Sequence, residues 1–293
     1  MLPGSQASFS KRLGKVGEFV SDWMASAHLS AKKCATHNDG PLTIGESSEQ
    51  PPILDAQSAL FLDVDGTLLE IAAQPELVCV PRGLPALITS RAKERDGAVA
   101  LISGRPLAQL DQLFHPWHGA AAGLHGIERR RTDGSSDQIL DPAGVAALDR
   151  IRPKLAAVAG DASGLVLEDK GGTIALHYRA VPEREAEIRA YAETLLTETE
   201  PALRLIAGKM VVEFQPSSVN KGLAVAAFLA EPPFFGRRPV FVGDDTTDED
   251  GFAEVRRRDG IAVRVGSPST TAANYRLPTV GAVLDWLART DLP

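Results

Sequence analysis

From about residue 57 onward the chain repeats one kind of unit: a short unbroken apolar run, then polar punctuation, then residues at helical spacing. Ala59-Leu60-Phe61-Leu62 runs into Asp63, and Ala98-Val99-Ala100-Leu101-Ile102 into Ser103-Gly104-Arg105. Val240-Phe241-Val242 runs into Gly243-Asp244-Asp245, and Ile261-Ala262-Val263-Arg264-Val265 ends at Gly266. Runs without polar alternation suit strands covered on both faces, as in a parallel sheet sandwiched between helices. The segments between them carry helix signals. Pro106 suits a first helical turn and precedes Leu107, Leu110 and Leu113, and Asn220 can cap the apolar stretch 222–229. The pattern predicts an α/β fold, a doubly wound Rossmann-like core around a parallel sheet.

Between about residues 130 and 215 the texture changes. In 173–179, Ile174, Leu176 and Tyr178 fall on one face and His177 and Arg179 on the other. Glu168 and Lys170 share a face in 165–170, as do Lys209 and Glu213 in 209–214. Period two with one polar side predicts strands packed on one face only, typically antiparallel. Pro182 opens a helical stretch with Ile188, Tyr191 and Leu195 on one side. We expect an α+β cap at 131–215, inserted between two parts of the core at 56–130 and 216–293. Residues 1–55 stand apart as an N-terminal appendage and linker. Phe9, Leu13, Val16, Val20 and Trp23 recur at helical spacing, but Gly14 and Gly17 weaken a helix, and Glu18 and Asp22 are unusual in a transit peptide. The stretch 37–52 is rich in Gly, Pro, Ser and Asn and reads as linker.

Composition narrows the class of function. Among 293 residues, 31 Lys and Arg stand against 38 Asp and Glu, a net charge of −7, which argues against non-specific nucleic-acid binding. No run approaches the ~20 apolar residues that a membrane-spanning helix needs. Cys34 and Cys79 are the only cysteines and have no metal-type spacing, so a reducing, cytoplasmic setting is expected. The sequence leaves protein partners open.

The chemistry is suggested by where the polar groups fall. Asp63, Asp65, Ser103, Asp244, Asp245 and Asp248 all lie at or just beyond the ends of apolar runs. In an open parallel sheet those ends line one rim, where ligands bind at the switch in strand order. Carboxylates gathered there repel one another and raise their own pKa values. A hard divalent cation such as Mg²⁺ resolves this, since it takes one or two carboxylates together with water and substrate phosphate. Ser103 and Lys221 would supply a hydroxyl and a positive charge for phosphate oxygens.

Asp63-Val64-Asp65-Gly66-Thr67-Leu68 resembles the first motif of the haloacid-dehalogenase-like phosphatases. The other three motifs follow in order: Ser103, then Lys221 in Asn220-Lys221-Gly222, then Gly243-Asp244-Asp245-Thr246-Thr247-Asp248-Glu249. The resemblance implies Asp63 as nucleophile, forming an aspartyl-phosphate, and Asp65 as general acid and then base. It implies Mg²⁺ held by Asp63, the main-chain carbonyl of Asp65, and Asp244. Ser103 and Lys221 would hold the non-bridging oxygens, with Asp245 and Asp248 supporting the site.

Most of residues 57–290 is also similar, more narrowly, to the trehalose-6-phosphate phosphatases. The matching segments are Ser103-Gly104-Arg105, Gly123-Leu124-His125-Gly126-Ile127-Glu128, Glu168-Asp169-Lys170 and Ala175-Leu176-His177-Tyr178-Arg179, then Gly208-Lys209-Met210-Val211-Val212-Glu213 with Pro216. That family has an α/β core with an inserted α+β cap, and it recognises its disaccharide largely from the cap. Substrate contacts are therefore expected among Glu168, Lys170, His177, Arg179, Lys209 and Glu213. The bland alternative for these side chains is the wet face of a half-buried sheet. Arg105 pairs with phosphate or serves structure, and His125 and Glu128 are substrate contacts or turn residues. The activity implied is Mg²⁺-dependent hydrolysis of trehalose 6-phosphate to trehalose and phosphate. The competing readings are a sucrose-phosphate or mannosyl-phosphoglycerate phosphatase on the same core, and a non-catalytic sugar-phosphate-binding module.

Overall fold

The apolar runs become strands of one sheet in the computed structural model, which describes residues 50–72, 77–139, 141–160, 164–208, 210–267 and 270–289. The expected helical spacing at 9–23 and the linker at 37–49 lie outside the described residues. The strands of the larger sheet are β1 Ser58–Leu62, β2 Val99–Ile102, β3 Ala120–Gly123, β4 Glu128–Arg130 and β5 Ser136–Gln138, then β10 Arg238–Gly243, β11 Ile261–Val265 and β12 Tyr275–Leu277. Their order is β12-β11-β10-β1-β2-β3-β4-β5, parallel from β12 to β3 and antiparallel from β3 onward. From β1 the chain winds outward to β3, then later starts again at β10 on the other side. The switch in strand order therefore falls between β1 and β10.

Both faces of this sheet are covered, which is why its strands read as unbroken apolar runs. Leu60 and Leu62 point to one side, against Leu84 and Ile88 of α1 (Leu84–Glu94), Leu110 and Phe114 of α2 (Leu107–Phe114) and Val283 and Trp286 of α7 (Val280–Ala288). Ala59 and Phe61 point to the other, against Val225 and Phe228 of α5 (Lys221–Leu229) and Phe252 and Val255 of α6 (Glu249–Arg256). Each such side chain contributes about 1.5–3 kcal/mol by leaving water. Asn220 caps α5 as expected, accepting from Leu223 N at 2.8 Å. Trp117 and Trp286 are both packed in this core.

The smaller layer is an antiparallel sheet, β6-β7-β9-β8, built from β6 Val166–Asp169, β7 Ile174–His177, β8 Leu203–Gly208 and β9 Val211–Pro216. Helices α3 (Pro142–Val158) and α4 (Glu185–Thr197) cover one face, burying Ile174, Leu176, Tyr178, Val212 and Phe214 against Leu148, Ile151, Ile188 and Leu195. The other face carries Glu168, Lys170, His177 and Glu213, as the alternation predicts. This cap begins at α3, after the chain has extended the core sheet through β4 and β5, so the change of layer falls later than the expected 130/131. The charged texture of 128–138 hid the hairpin. Arg130 is buried there against both carboxylate oxygens of Asp111, at 2.7 and 2.9 Å, and Arg129 against Glu231 at 3.1 Å. The two connections between core and cap run side by side, tied by Ser218 Oγ donating to Asp141 Oδ2 at 2.8 Å.

Candidate active site

Asp63 leaves β1 at the switch point, its N–H still in the parallel ladder with Val242 O at 3.0 Å. Its carboxylate is buried, at 4 % exposure, and accepts from Lys221 Nζ at 2.7 Å. Lys221, the first residue of α5, is itself 3 % exposed and donates also to Asp248 Oδ1 at 2.5 Å. Asp248 accepts with its other oxygen from the N–H groups of Asp244 and Asp245, each at 2.9 Å. Both oxygens of Asp248 are thus committed to shaping the loop after β10 and to holding Lys221.

Asp63, Asp244 and Asp248 each bring a carboxylate oxygen within 4.8 Å of the others. Burial pushes the Asp63 carboxyl well above the usual range, with Asp248 and Asp244 adding to it and Lys221 opposing. Asp244 is pushed up to about 6, by burial first and then by Asp248. Burial alone would lower the Lys221 pKa, but Asp248 and Asp63 more than offset it and hold the ammonium above its ordinary pKa. The turn that brings Asp244 this close needs a glycine: Gly66 has φ +85°, and a Cβ there would lie 2.1 Å from Asp244 Oδ2. Thr67 Oγ1 adds a donor to Asp244 Oδ1 at 3.3 Å.

Ser103 follows β2, buried at 1 % exposure, and its hydroxyl accepts from Arg105 N at 3.1 Å. Asp65 faces Arg105, whose Nε and Nη2 reach its two oxygens at 2.7 Å each. Arg105 also donates to Gln109 Oε1 at 3.4 Å. Glu128 accepts from Leu107 N at 2.7 Å, at the start of α2, so its carboxylate serves a helix end. His125 lies in a turn, with Leu124 at φ +49° and itself at φ +57°, and is buried with Nδ1 unpartnered. Burial, then Lys221, Lys170 and Arg204, push its pKa well below the ordinary histidine value, so the imidazole is neutral near pH 7.

A cavity of about 260 Å³ lies between the core rim and the open face of the cap sheet. Asp63, Asp65, Ser103, Arg105, His125, Lys221 and Asp245 line it below, and Glu168, Lys170, His177, Arg179 and Glu213 above. Strand register puts Glu168, Ala175 and Glu213 abreast. Lys170 Nζ sits between the acids, 3.8 Å from Glu168 Oε2 and 3.6 Å from Glu213 Oε1. His177 Nε2 lies 2.9 Å from Glu168 Oε2, and this contact chiefly holds the Glu168 carboxyl below its usual pKa, with Lys170 helping. The predicted side chains thus gather at one cavity, apart from Asp244 and Asp248 beneath its floor and Lys209, which lies outside the described residues. Sequence reasoning passed over Gly66, Thr67 and Gln109, although the first two stand in the Asp63 motif.

The trehalose-phosphatase family model matches residues 61–280, a span holding every one of these side chains. The chain belongs to the trehalose-phosphatase family. It is 46% identical over 210 residues to a probable trehalose-phosphate phosphatase of Sinorhizobium fredii, covering 72% of this chain and 78% of that one. It is 42% identical over 242 residues to the trehalose-6-phosphate phosphatase of Escherichia coli K12, covering 83% of this chain and 90% of the relative. A crystal structure of a trehalose-6-phosphate phosphatase related protein superposes with a TM-score of 0.63 at 25% identity, over 78% of this chain and 94% of the other.

Proposed function

We propose that this protein hydrolyses trehalose 6-phosphate to trehalose and phosphate through an aspartyl-phosphate on Asp63, with Mg²⁺ as cofactor. The observation that carries the reading is one cavity lined by Asp63 and by Lys221, which Asp248 also holds, and, facing them, by the Glu168–Lys170–Glu213 row. Asp63 Oδ attacks phosphorus, and the bond from phosphorus to the sugar oxygen breaks. Asp65 gives its proton to that leaving oxygen, then takes one from water as the water oxygen attacks phosphorus and the Asp63–phosphorus bond breaks. Ser103 and Lys221 hold the non-bridging oxygens. An incoming phosphate competes with Asp65 for Arg105, which frees Asp65 for its proton transfers.

The donor set fits a hard divalent cation: Asp63 and Asp244 are carboxylates raised by burial and then by neighbouring acids, while both oxygens of Asp248 already accept hydrogen bonds. Asp63, Asp244 and the main-chain carbonyl of Asp65 would hold Mg²⁺, which neutralises charge on the transferring group. In the cap, Glu168, Lys170, His177, Arg179 and Glu213 offer the donors and acceptors that sugar hydroxyls need in pairs. A cytoplasmic setting belongs to the same proposal, since Cys79 is a free, exposed thiol. No helix among the described residues is long and apolar enough to cross a membrane.

The test is phosphate release from trehalose 6-phosphate, sucrose 6-phosphate, glucose 6-phosphate and mannosyl-3-phosphoglycerate, with Mg²⁺ and with EDTA. Mg²⁺-dependent kcat/KM should be highest for the trehalose ester. Asp63→Asn should retain the fold and release none. Equal turnover of another ester overturns the substrate reading, and an active Asp63→Asn overturns the nucleophile.

A further inference from the structure

Among the described residues, the cap meets the core near both edges of its sheet. Under the β6–β7 turn the support is apolar and tight: a Cβ at Gly172 would lie 2.8 Å from Ile127 Cδ1. Under β8, at the opposite edge of the cap sheet, the support is ionic: Arg204 Nη1 donates to Asp250 Oδ2 at 2.8 Å. Asp250 stands in the first turn of α6, directly after the loop whose Asp248 holds Lys221. That helix cannot yield easily, because it packs on α5 where a Cβ at Gly222 would come 2.4 Å from Asp250 O. Arg204 pairs in register with Gln215, and Gln215 Nε2 donates to Val219 O at 2.8 Å in the return connection. The contact thus bridges the hinge side of the cap to the helix that carries the acid loop.

We propose that the Arg204–Asp250 ion pair is a strut that sets the tilt of the cap, so that both are positioning residues for the Lys170–Glu213 row above Asp63. With the Gly172–Ile127 contact as a fixed pivot, losing the ionic foot leaves the cap free to rock about the other. Neither side chain lines the cavity, and both are partly exposed, at 29% and 38%, so the pair contributes little to folding. Its effect is on geometry.

Spin labels at Leu77→Cys on the core and Val166→Cys on the cap, in a Cys34→Ser, Cys79→Ser background, report this tilt without any substrate. Both sites are exposed and flank the cavity, Leu77 beside the lining residue Val78 and Val166 paired in register with the lining residue His177 on β7. A single narrow distance should become broader in Arg204→Met and in Asp250→Asn alike, with no further change in the double variant. An unchanged distribution in Arg204→Met, or additive broadening in the double variant, overturns the strut. A second arm rests on the proposed phosphatase reading: KM for trehalose 6-phosphate should rise about tenfold or more, with p-nitrophenyl phosphate hydrolysis unchanged. Equal losses on both substrates overturn the positioning role. If the unsubstituted enzyme releases no phosphate from trehalose 6-phosphate, the substrate reading fails and the distance measurement still decides the strut.

Discussion

Replacing Lys221 by Met tests the electrostatics of the site most directly. The ammonium is buried at 3 % exposure between Asp63 and Asp248, which are 4 % and 0 % exposed. Methionine keeps the length and apolar bulk but leaves two buried carboxylates facing each other with no cation. Breaking a buried pair by deleting one partner costs about 3–5 kcal/mol. For a folded region of this size each kcal/mol moves Tm by about 2–4 °C, so a loss of roughly 6–20 °C is expected at pH 7.5. The sign with pH follows from linkage. Without Lys221, which opposes the rise, the folded Asp63 carboxyl moves further above its unfolded pKa, so the folded state binds a proton that the unfolded chain releases. Stability lost by the variant is therefore regained as pH falls through that folded value, and its deficit should narrow at pH 5.5. Adding Asp248→Asn to Lys221→Met should recover part of the loss, because it removes one of the opposed charges. Differential scanning fluorimetry at the two pH values measures all of this. A Tm within about 2 °C of the parent at pH 7.5, or a deficit that widens at pH 5.5, refutes the reasoning.

Three further outcomes are expected. With Asp244 raised to about 6 in the fold, its charge costs stability above that pH, and the cost disappears as pH falls toward the ordinary carboxylate value. At the proposed Mg²⁺ site the ion would compete with protons for the same carboxylates, so Mg²⁺ should raise Tm more at pH 7.5 than at pH 5, and equal shifts would sink this account. Gly66→Ala should lower stability by roughly 2–4 kcal/mol and blunt the response to Mg²⁺, since φ is +85° and the new Cβ would strike Asp244. Urea unfolding with and without Mg²⁺ checks it, and an unperturbed variant would show that the turn tolerates a side chain. Lys170→Met should raise KM for trehalose 6-phosphate by about 10–100-fold while sparing p-nitrophenyl phosphate, a split read from steady-state kinetics. A parallel loss on both substrates would place Lys170 in the chemistry instead.

The parts legible in the sequence are those governed by local pattern. β1, β2, β10 and β11 could be read because both faces are buried, and the site could be placed because its acids follow those strands. The open face of the cap was legible from Ile174, Leu176 and Tyr178 alternating with His177. The β4–β5 hairpin was not, because Arg129 and Arg130 look exposed until their acid partners arrive from α2 and from residue 231. The same limit hid the commitments of individual side chains. Arg105 meets Asp65 from 40 residues away, and Glu128 reaches back 21 residues to the N–H of Leu107. No spacing rule encodes either contact. Gly66 is the instructive omission: the requirement for glycine comes from Asp244, which the chain supplies from its other half.

The tie between Ser218 and Asp141 has a consequence for how such a chain can change over evolution. A segment whose entrance and exit lie side by side behaves as a cassette. Its excision leaves two ends already close enough for a short turn to join, at the rim of a sheet that draws none of its strands from the removed stretch. Recombination at this seam can therefore exchange the whole second sheet without disturbing Asp63, Ser103, Lys221 or Asp244. On the proposed division of roles, a lineage built this way would change its choice of alcohol by exchanging the roof and would keep its phosphate chemistry.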